Sequence, residues 1–279
     1  MQKASKIKHA AIFIALIILA ALFLVPIFLV LINSFKSRFY ISSAPFDLPD
    51  STTFAGLENY INGLSSSGFA AAFLRSVFIT VCSVAVIVVC TSMAAWYIVR
   101  VKSVFSRLMY LLFVFSMIVP FQMVMYTMTY VVNKVNLDNV VGIVLVYLGF
   151  GAGLSVFMMS GFIKSIPLEI EEAATIDGCS PLQTFFLVVF PILKPTAITV
   201  AILNAMWVWN DYLLPYLVLG TDDKTVPVAI QIAMQGAYGS TDYGGLMAML
   251  VLAIIPIIIF YLFCQKYIIR GVIAGAVKG

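Results

Sequence analysis

Four carboxylates lie close together in a chain that is otherwise poor in charge, between two long apolar segments. These residues are Glu169, Glu171, Glu172 and Asp177. A helix over this stretch accepts Pro167 in its first turn, where the missing N–H costs nothing. Acidic side chains are favoured near the positive N-terminal end of such a helix, and Gly178 is suited to end it. The chemistry that this cluster offers is ionic binding to a basic surface.

The residues after this glycine predict a second short helix, opened by a capping-box pattern. The pattern consists of Ser180, Pro181 and Gln183. Apolar residues follow at 185–190, and Pro191 is predicted to end the helix. About nine or ten apolar residues are too few to cross a bilayer core of about 30 Å at about 1.5 Å per residue. Residues 164–194 are therefore predicted to form a helical hairpin outside the membrane core, packed against another surface.

An amphipathic helix that lies on the membrane is the alternative interpretation of this hairpin. Helices of that kind usually carry lysine and arginine on their polar face, because the membrane surface is anionic. Here the polar residues are acidic, and anionic lipid repels them. A basic protein surface is the better partner.

The composition is that of a polytopic membrane protein. The chain is 63% hydrophobic and 10% charged, against roughly 25% charged residues in soluble domains, and its mean hydropathy is +1.09. The net charge is +4, and the charged residues cluster at the ends of apolar segments. No stripe of basic residues with interleaved aromatic residues is present, which argues against nucleic acid as a partner. The single histidine, His9, and four cysteines without ligand spacing argue against a metal or histidine-based catalytic site. No G-x-x-x-x-G-K-[ST] loop is present, so we expect no ATP or other cofactor on this chain itself.

Six apolar segments are predicted to cross the membrane as helices. They cover residues 10–32, 71–99, 108–132, 140–163, 196–219 and 245–269. Pro120 interrupts the third, and a ten-residue tail follows the sixth. An even number of spans puts both termini on one side, which holds eleven of the 16 lysines and arginines. The positive-inside rule therefore predicts that the termini and the hairpin are cytoplasmic and that the polar stretch 220–244 is an extracytoplasmic loop.

The spans contain almost no ionisable groups, and the exceptions cluster with neighbouring polar residues on the fifth segment. Asn204, Trp207 and Asp211 are spaced at i, i+3 and i+7, which places them on one helical face, and Asn210 lies next to Asp211. This face either lines a path for a polar substrate or belongs to the interfacial belt of the membrane. Gln122, two residues after Pro120, has the same path interpretation, with a helix–helix hydrogen bond as its alternative.

One part of the hairpin resembles a known signature. The run E-A-A-T-I-D-G at 172–178 is followed after nine residues by V-V-F-P at 188–191. This resembles the EAA signature, E-A-A-x3-G-x9-I-x-L-P, of ABC importer permeases, with Val188 and Phe190 in place of Ile and Leu. Further matches at 162–167, 209–212 and 270–279 are similar to the carbohydrate-uptake, MalG-like group. The resemblance covers nearly the whole chain.

The resemblance is weakest at residues 33–70, and Arg75-Ser76 stands where Asn-Ser is common in the family. It implies the all-α fold of a type I ABC importer permease, with six transmembrane helices in a single domain and a cytoplasmic coupling hairpin. That hairpin docks into a cleft on a cytoplasmic ATPase, which binds the ATP and Mg²⁺. The residues implied in this coupling are Glu172, Ala173, Ala174, Asp177, Gly178, Pro191, Gly275 and Lys278.

The resemblance also implies a location in a prokaryotic plasma membrane, with partners in that membrane and outside it. They are a second homologous permease subunit (MalF-like), two copies of the ABC ATPase, an extracytoplasmic sugar-binding protein and the lipid bilayer. The loop 220–244 reaches toward the binding protein, with Tyr238, Gly239 and Tyr243 as its contacts.

Three alternatives stay open beside an oligosaccharide importer. The first is an ABC permease for another solute, such as a polyol, a sugar phosphate or an amino acid. The second is a secondary transporter or channel that works alone, which intramembrane charges or an inverted repeat would support; the sequence does not display them. The third is a membrane anchor without transport, which leaves the acidic hairpin unexplained.

Overall fold

The computed structural model describes residues 2–66, 68–236 and 241–276. Within these ranges the chain is helical almost throughout, and the extended pairing is one isolated antiparallel bridge between Lys36 and Phe54. The helices are α1 (Gln2–Asn33), α2 (Arg38–Ser43), α3 (Glu58–Ser66), α4 (Phe69–Arg100), α5 (Val104–Ser116), α6 (Phe121–Lys134), α7 (Gly142–Ile163), α8 (Glu169–Ile176), α9 (Pro181–Gln183), α10 (Phe190–Asn210), α11 (Leu213–Leu219), α12 (Val226–Gln235) and α13 (Tyr243–Ala276). A π-helical turn, Thr184–Val189, joins α9 to α10.

In the described part of the chain, five helical segments are long and apolar enough to cross a membrane, and α5 with α6 makes a sixth if this bent pair counts as one span. The predicted spans 10–32, 71–99 and 140–163 correspond to α1, α4 and α7. The predicted span 245–269 lies inside α13, which continues through most of the expected tail to Ala276. The chain is a multi-pass, all-helical membrane protein, as its composition predicts.

The third predicted span, 108–132, is not one straight helix. Its two halves, α5 and α6, are bent by 110° at the residues between Ser116 and Phe121. Pro120 has an extended backbone, with φ −61° and ψ 136°, and caps the start of α6. Because proline lacks an N–H and disfavours a helical residue before it, the helix ends ahead of Pro120. The predicted interruption is confirmed, and the sharp change of direction was not predicted.

The fifth predicted span, 196–219, does not have the ends of the helix that contains it. The helix begins far earlier, because α9, the π-helical turn and α10 form one continuous segment from Pro181 to Asn210. Pro191 therefore does not end a helix, since the wide turn just before it accommodates the proline ring and its missing N–H. At the other end the helix stops at Asn210, and α11 starts after a break at Asp211 and Tyr212.

The stretch 220–244 is not simply a polar loop, because it contains the apolar helix α12. The first N–H of this helix, that of Val226, donates to the hydroxyl of Ser76 at 2.8 Å. The neighbouring Arg75 forms an ion pair with Asp223, with an N–O distance of 3.0 Å. Arg75 and Ser76 thus both hold the chain that leads into α12, although the sequence assigns them no role.

The contacts of the chain form two compact units. One unit contains residues 1–70 with 229–256, and the other contains residues 71–228 with 257–279. The second unit holds the acidic hairpin and the polar residues of α10. Its core centres on α7, which packs closely on its neighbours through glycine. A methyl group on Gly153 would lie 2.8 Å from the carbonyl oxygen of Phe113 on α5, so the two backbones approach too closely for any larger residue.

The first unit has a buried polar cluster at the end of α1. The side chain of Lys36 is fully buried, and its ammonium group donates to the carbonyl of Ala44 at 2.8 Å. The amide of Asn59 donates to the carbonyls of Ser34 and Lys36, each at 2.8 Å. These bonds satisfy backbone carbonyls in the segment that follows α1 and in the residue that follows α2.

Candidate functional site: an acidic hairpin and a polar helix face

The first arm of the acidic hairpin is α8, which begins at Glu169 with Leu168 as its N-cap. Pro167 therefore precedes the first turn instead of lying in it. The amides of Glu171 and Glu172 both donate to the carbonyl of Leu168, so the carboxylates occupy the first turns. That position favours negative charge, as the sequence predicts.

The elbow of the hairpin has the geometry that the sequence predicts. Gly178 has a φ of +86°, in the left-handed region. The amide of Cys179 donates to the carbonyl of Ala174, and the amide of Gly178 to that of Thr175, both at 3.0 Å. These two bonds define a Schellman motif. No neighbouring atom lies within 4 Å of a methyl group built on Gly178, so glycine is needed here for its backbone conformation alone.

The second arm opens with the predicted capping box. The amide of Ser180 donates to the side-chain oxygen of Gln183 at 2.8 Å, and the amide of Gln183 donates to the Ser180 hydroxyl at 3.4 Å. Pro181 occupies the first helical position. This arm then continues without a break into α10, so the hairpin is joined rigidly to a membrane span.

The outward face of α8 is acidic and apolar at once. Its exposed residues are Glu169, Glu172, Ala173 and Ile176. Their spacing of i, i+3, i+4 and i+7 forms one stripe along the helix, which we call the outward stripe. Ile176 is 86% exposed, and Asp177 and Gly178 extend the exposed surface to the elbow. Sequence reasoning missed Ile176, although its helical spacing from Glu172 was a signal for it.

The inward face of α8 carries Glu171 and Ala174, both buried within this chain. The resemblance implies both Ala173 and Ala174 in the coupling contact. Ala173 is exposed on the outward stripe, whereas Ala174 is buried within this chain and is not available to a partner in this conformation.

Glu171 is held by the last turns of α4. One of its oxygens, Oε1, accepts from Arg100 Nε at 2.8 Å and from Arg100 Nη2 at 2.6 Å. The other, Oε2, accepts from the indole N–H of Trp96 at 2.9 Å. Arg100 also donates to the carbonyl of Ile166 at 3.0 Å. Sequence reasoning treated Glu171 as one of four equal carboxylates; an i, i+4 pair of Trp96 and Arg100 ending an apolar helix was the available signal.

The other predicted coupling and docking residues are placed less completely. Pro191 is exposed near the start of α10, and Gly275 lies in the last turns of α13, where only the backbone is described. Tyr243 is the first residue of α13 and is 45% exposed. The residues Tyr238, Gly239 and Lys278 lie outside the described part of the chain.

The polar face of α10 is only partly exposed. Asn204 is buried and donates to the Ser155 hydroxyl at 3.1 Å and to the carbonyl of Val200 at 2.8 Å. It therefore joins α10 to α7 and, in this conformation, offers no surface to a substrate. Trp207 is 38% exposed and packs edge-on against the ring of Tyr147, with 5.3 Å between the centroids.

Asp211 lies at the break between α10 and α11 and supports it. Its Oδ1 accepts from the amides of Leu213 at 3.1 Å and Leu214 at 3.4 Å, as a helix N-cap does. Its Oδ2 accepts from the hydroxyl of the fully buried Tyr147 at 3.2 Å. The break leaves Asn210 exposed, with its amide donating to the carbonyl of Met206 at 2.7 Å.

Gln122 is exposed in the first turn of α6, just after the bend at Pro120. Both exposed amides, those of Gln122 and Asn210, therefore stand next to a break between two helices. Among the described residues, no three His, Cys, Asp or Glu side chains come together as metal ligands would. The arrangement suits binding and movement, since it offers an exposed acidic stripe on a rigid hairpin and a few polar groups beside broken helices.

Comparison with known proteins finds permease proteins of similar sequence. The chain is 37% identical over its whole length to the probable starch degradation products transport system permease protein AmyC of Thermoanaerobacterium thermosulfurigenes, which is also covered completely. It is likewise 37% identical to the multiple sugar-binding transport system permease protein MsmG of Streptococcus mutans, with both chains covered completely.

The fold also matches a solved structure. A crystal structure of a bacterial ABC transporter involved in the import of the acidic polysaccharide alginate contains a chain with a TM-score of 0.76 and 22% identity, and the match covers 95% of this chain and 97% of that one. Residues 87–274, which include the whole hairpin and the polar face, match the family described as binding-protein-dependent transport system inner membrane component. The chain therefore belongs to this family of inner membrane components, and it is a permease subunit of a transport system and not an enzyme.

Proposed function

We propose that this permease subunit serves an ATP-driven importer of sugars, with oligosaccharides as its substrates. It forms half of the translocation pathway, and a second, homologous permease subunit forms the other half. Relatives named for starch degradation products and for multiple sugars support a saccharide as the cargo. An extracytoplasmic binding protein delivers the sugar, as the family description implies. Tyr243, with Tyr238 and Gly239, is proposed to contact that protein.

The observation that carries the coupling proposal is the outward stripe of α8. It combines Glu172, Ala173 and Ile176 on an exposed helix face, and an exposed isoleucine beside carboxylates suits a partner with an apolar cleft and a basic rim. We propose that one of two ATPase copies, holding ATP and Mg²⁺, binds here. Glu172 pairs with a basic residue, Ile176 fills the cleft, and Ala173 allows close approach. Asp177 and the tail residues Gly275 and Lys278 extend the same contact.

The hairpin transmits the motion because its second arm is continuous with α10. Closure of the ATPase dimer on ATP is then passed on as a rigid-body rotation of the spans, which opens the pathway to one side and closes it to the other. This mechanism needs the hairpin and both termini in the cytoplasm. The excess of lysine and arginine on that side supports this orientation.

The sugar path is proposed to run past the break between α10 and α11. Trp207 and Asn210 expose an aromatic ring and an amide there, and Tyr212 and Tyr216 stack with 5.4 Å between their ring centroids. Aromatic faces and amides are the groups with which proteins commonly hold sugars, because sugars have both apolar C–H faces and hydroxyl groups. Asp211 and Gln122 border the same path.

Charge reversal at Glu172 tests the coupling proposal. We expect Glu172→Lys to insert into the membrane normally, to lose the ATPase from a mild-detergent pull-down, and to lose uptake in proteoliposomes. Glu58→Lys is the matched control, since Glu58 is an exposed carboxylate in the first turn of another helix, α3. Normal ATP-driven uptake by Glu172→Lys would contradict the proposal. Transport by this chain alone, without ATP, would favour the secondary-transporter alternative.

A ligand screen of the binding protein that co-purifies tests the substrate class. Oligosaccharides are expected to bind, and simple polyols, sugar phosphates and amino acids are expected not to. Binding of one of these other solutes alone would replace the sugar in the proposal while leaving the ATP-driven mechanism intact.

A further inference from the structure

We propose that Trp96, Arg100 and Glu171 form a clamp through which movement of the hairpin is passed to α4, a second membrane span. We call these three residues the α4 clamp. The inference rests on the proposed function, in which an ATPase moves the hairpin. It assigns the three side chains a positioning role in coupling, on the side of α8 opposite the outward stripe.

The clamp holds the first arm of the hairpin through directional bonds. Three donors converge on Glu171: two N–H groups of Arg100 on Oε1, at 2.8 and 2.6 Å, and the indole N–H of Trp96 on Oε2, at 2.9 Å. Arg100 also binds the carbonyl of Ile166, in the chain that leads into the hairpin, at 3.0 Å. The last turn of α4 is therefore joined to α8 and to the residues before it.

The clamp also contacts the second arm. The indole ring of Trp96 packs against the ring of Phe185, with 5.5 Å between the centroids, and Phe185 is fully buried in the π-helical turn. Trp96 and Arg100 are four residues apart and share one face of α4. One helix face therefore holds both arms of the hairpin.

Stability alone does not account for an ion pair in this position. The side chains of Arg100 and Glu171 are only 18% and 8% exposed, and apolar residues of similar volume often replace buried ion pairs without loss of stability. An ion pair with three charge-assisted hydrogen bonds supplies a fixed orientation, which apolar contacts do not. Glu172, the next residue, faces outward toward the proposed ATPase. A displacement applied to the outward stripe thus reaches the clamp through a single helix.

Variants of the clamp, assayed in the complete importer in proteoliposomes, test the inference. Trp96→Phe keeps the ring and removes the N–H; Glu171→Gln keeps the shape and removes the charge. Arg100→Met combined with Glu171→Leu replaces the pair by apolar contacts. We expect all three to co-purify with the ATPase and to hydrolyse ATP. Sugar taken up per ATP is expected to fall, by about tenfold for the apolar pair, which is the usual scale of a lost coupling interaction. Glu58→Gln, on α3, is the control and is expected to keep the ratio.

A distance measurement gives an independent test. Tyr97 on α4 and Leu182 on the second arm are both exposed, at 41% and 59%, and can carry spin labels in a chain without its four native cysteines. If α4 and the hairpin move together, the distance between the labels is the same with and without ATP. In Glu171→Gln the distribution is expected to broaden or to shift with ATP.

Three results would overturn the clamp. The first is an unchanged uptake-to-ATP ratio in the apolar-pair variant. The second is an ATP-dependent distance in the wild-type chain. Parallel loss of ATPase binding and hydrolysis in Trp96→Phe would also overturn it, because the residues would then only shape the docking surface. These outcomes differ from failure of the proposed function, which would appear in the wild-type chain as uptake without ATP or without an ATPase.

Discussion

Replacement of Asp211 by alanine tests whether this carboxylate holds the break between α10 and α11. Asp211 caps α11 by accepting the amides of Leu213 and Leu214, and it is the acceptor for the hydroxyl of Tyr147. Loss of an N-cap costs about 1 kcal/mol, and a buried hydroxyl left without its acceptor costs about 1–3 kcal/mol. Asp211→Ala is therefore expected to lower the free energy of unfolding by about 2–4 kcal/mol.

Two further variants separate these contributions. Asp211→Asn retains an oxygen for the two amides and turns an amide group toward Tyr147, so we expect a cost of about 1 kcal/mol or less. In a Tyr147→Phe background no hydroxyl is left unpaired, and Asp211→Ala should cost only the cap, about 1 kcal/mol. The two substitutions are thus expected to be strongly non-additive.

Reversible unfolding in mixed detergent micelles, followed by circular dichroism, measures these free energies. An equal cost of Asp211→Ala with Tyr147 and with Phe at position 147 would refute the role assigned to the hydrogen bond. Uptake by Asp211→Asn then addresses the path. If this variant folds with normal stability and transports poorly, the negative charge of Asp211 acts on the substrate.

Three further predictions concern glycines and one exposed carboxylate. Gly153→Ala should destabilise the chain by about 1–3 kcal/mol, because the new methyl group meets a backbone carbonyl at 2.8 Å. Gly149→Ala on the same helix places its methyl group where no atom lies within 4 Å, so it should stabilise the chain by about 0.5–1 kcal/mol. Thermal unfolding of the two variants checks both predictions. Gly178→Ala should weaken the hairpin by about 1–2 kcal/mol, because its φ is +86°, and hydrogen exchange of α8 should rise. Hydrogen bonds, first from the Thr52 side chain, lower the pKa of Asp50 to about 2. The turn that Asp50 forms with Thr52 and Thr53 should therefore persist as pH falls to about 4 and be lost as pH falls through about 2. Thr52→Val should raise this pKa in a carboxyl NMR titration.

The hairpin was predictable from sequence because its determinants are local. The capping box at Ser180 and the Schellman motif at Gly178 each depend on residues within about six positions. The signature at 172–178 then identified the family. The inward direction of Glu171 was not predictable in the same way, because its donors, Trp96 and Arg100, lie more than seventy positions earlier in the chain.

The errors share a physical cause, since helix continuity in this chain depends on distant contacts. Pro191 normally ends a helix, but the π-helical turn before it is fixed by the burial of Phe185 and Val189. The helix α12 lies in a stretch rich in turn residues, and its first amide is satisfied by Ser76, 150 positions away. Composition and periodicity do not contain these contacts.

Several polar side chains in this chain bind backbone groups at the ends of helices, where these groups lack partners within the helix. Lys36 binds the carbonyl of Ala44 at the end of α2, Asp211 binds the first amides of α11, and Arg100 binds the carbonyl of Ile166 after α7. Glu171 differs, since the bonds of its carboxylate in the described residues all come from side chains. Hydrogen bonding to backbone groups therefore explains why Lys36, Asp211 and Arg100 are polar. It does not explain why Glu171 is a carboxylate. Burial of a carboxylate costs desolvation free energy, and the side-chain bonds of Glu171 all come from another helix, α4. This arrangement is expected where two helices must keep a fixed orientation while they move together.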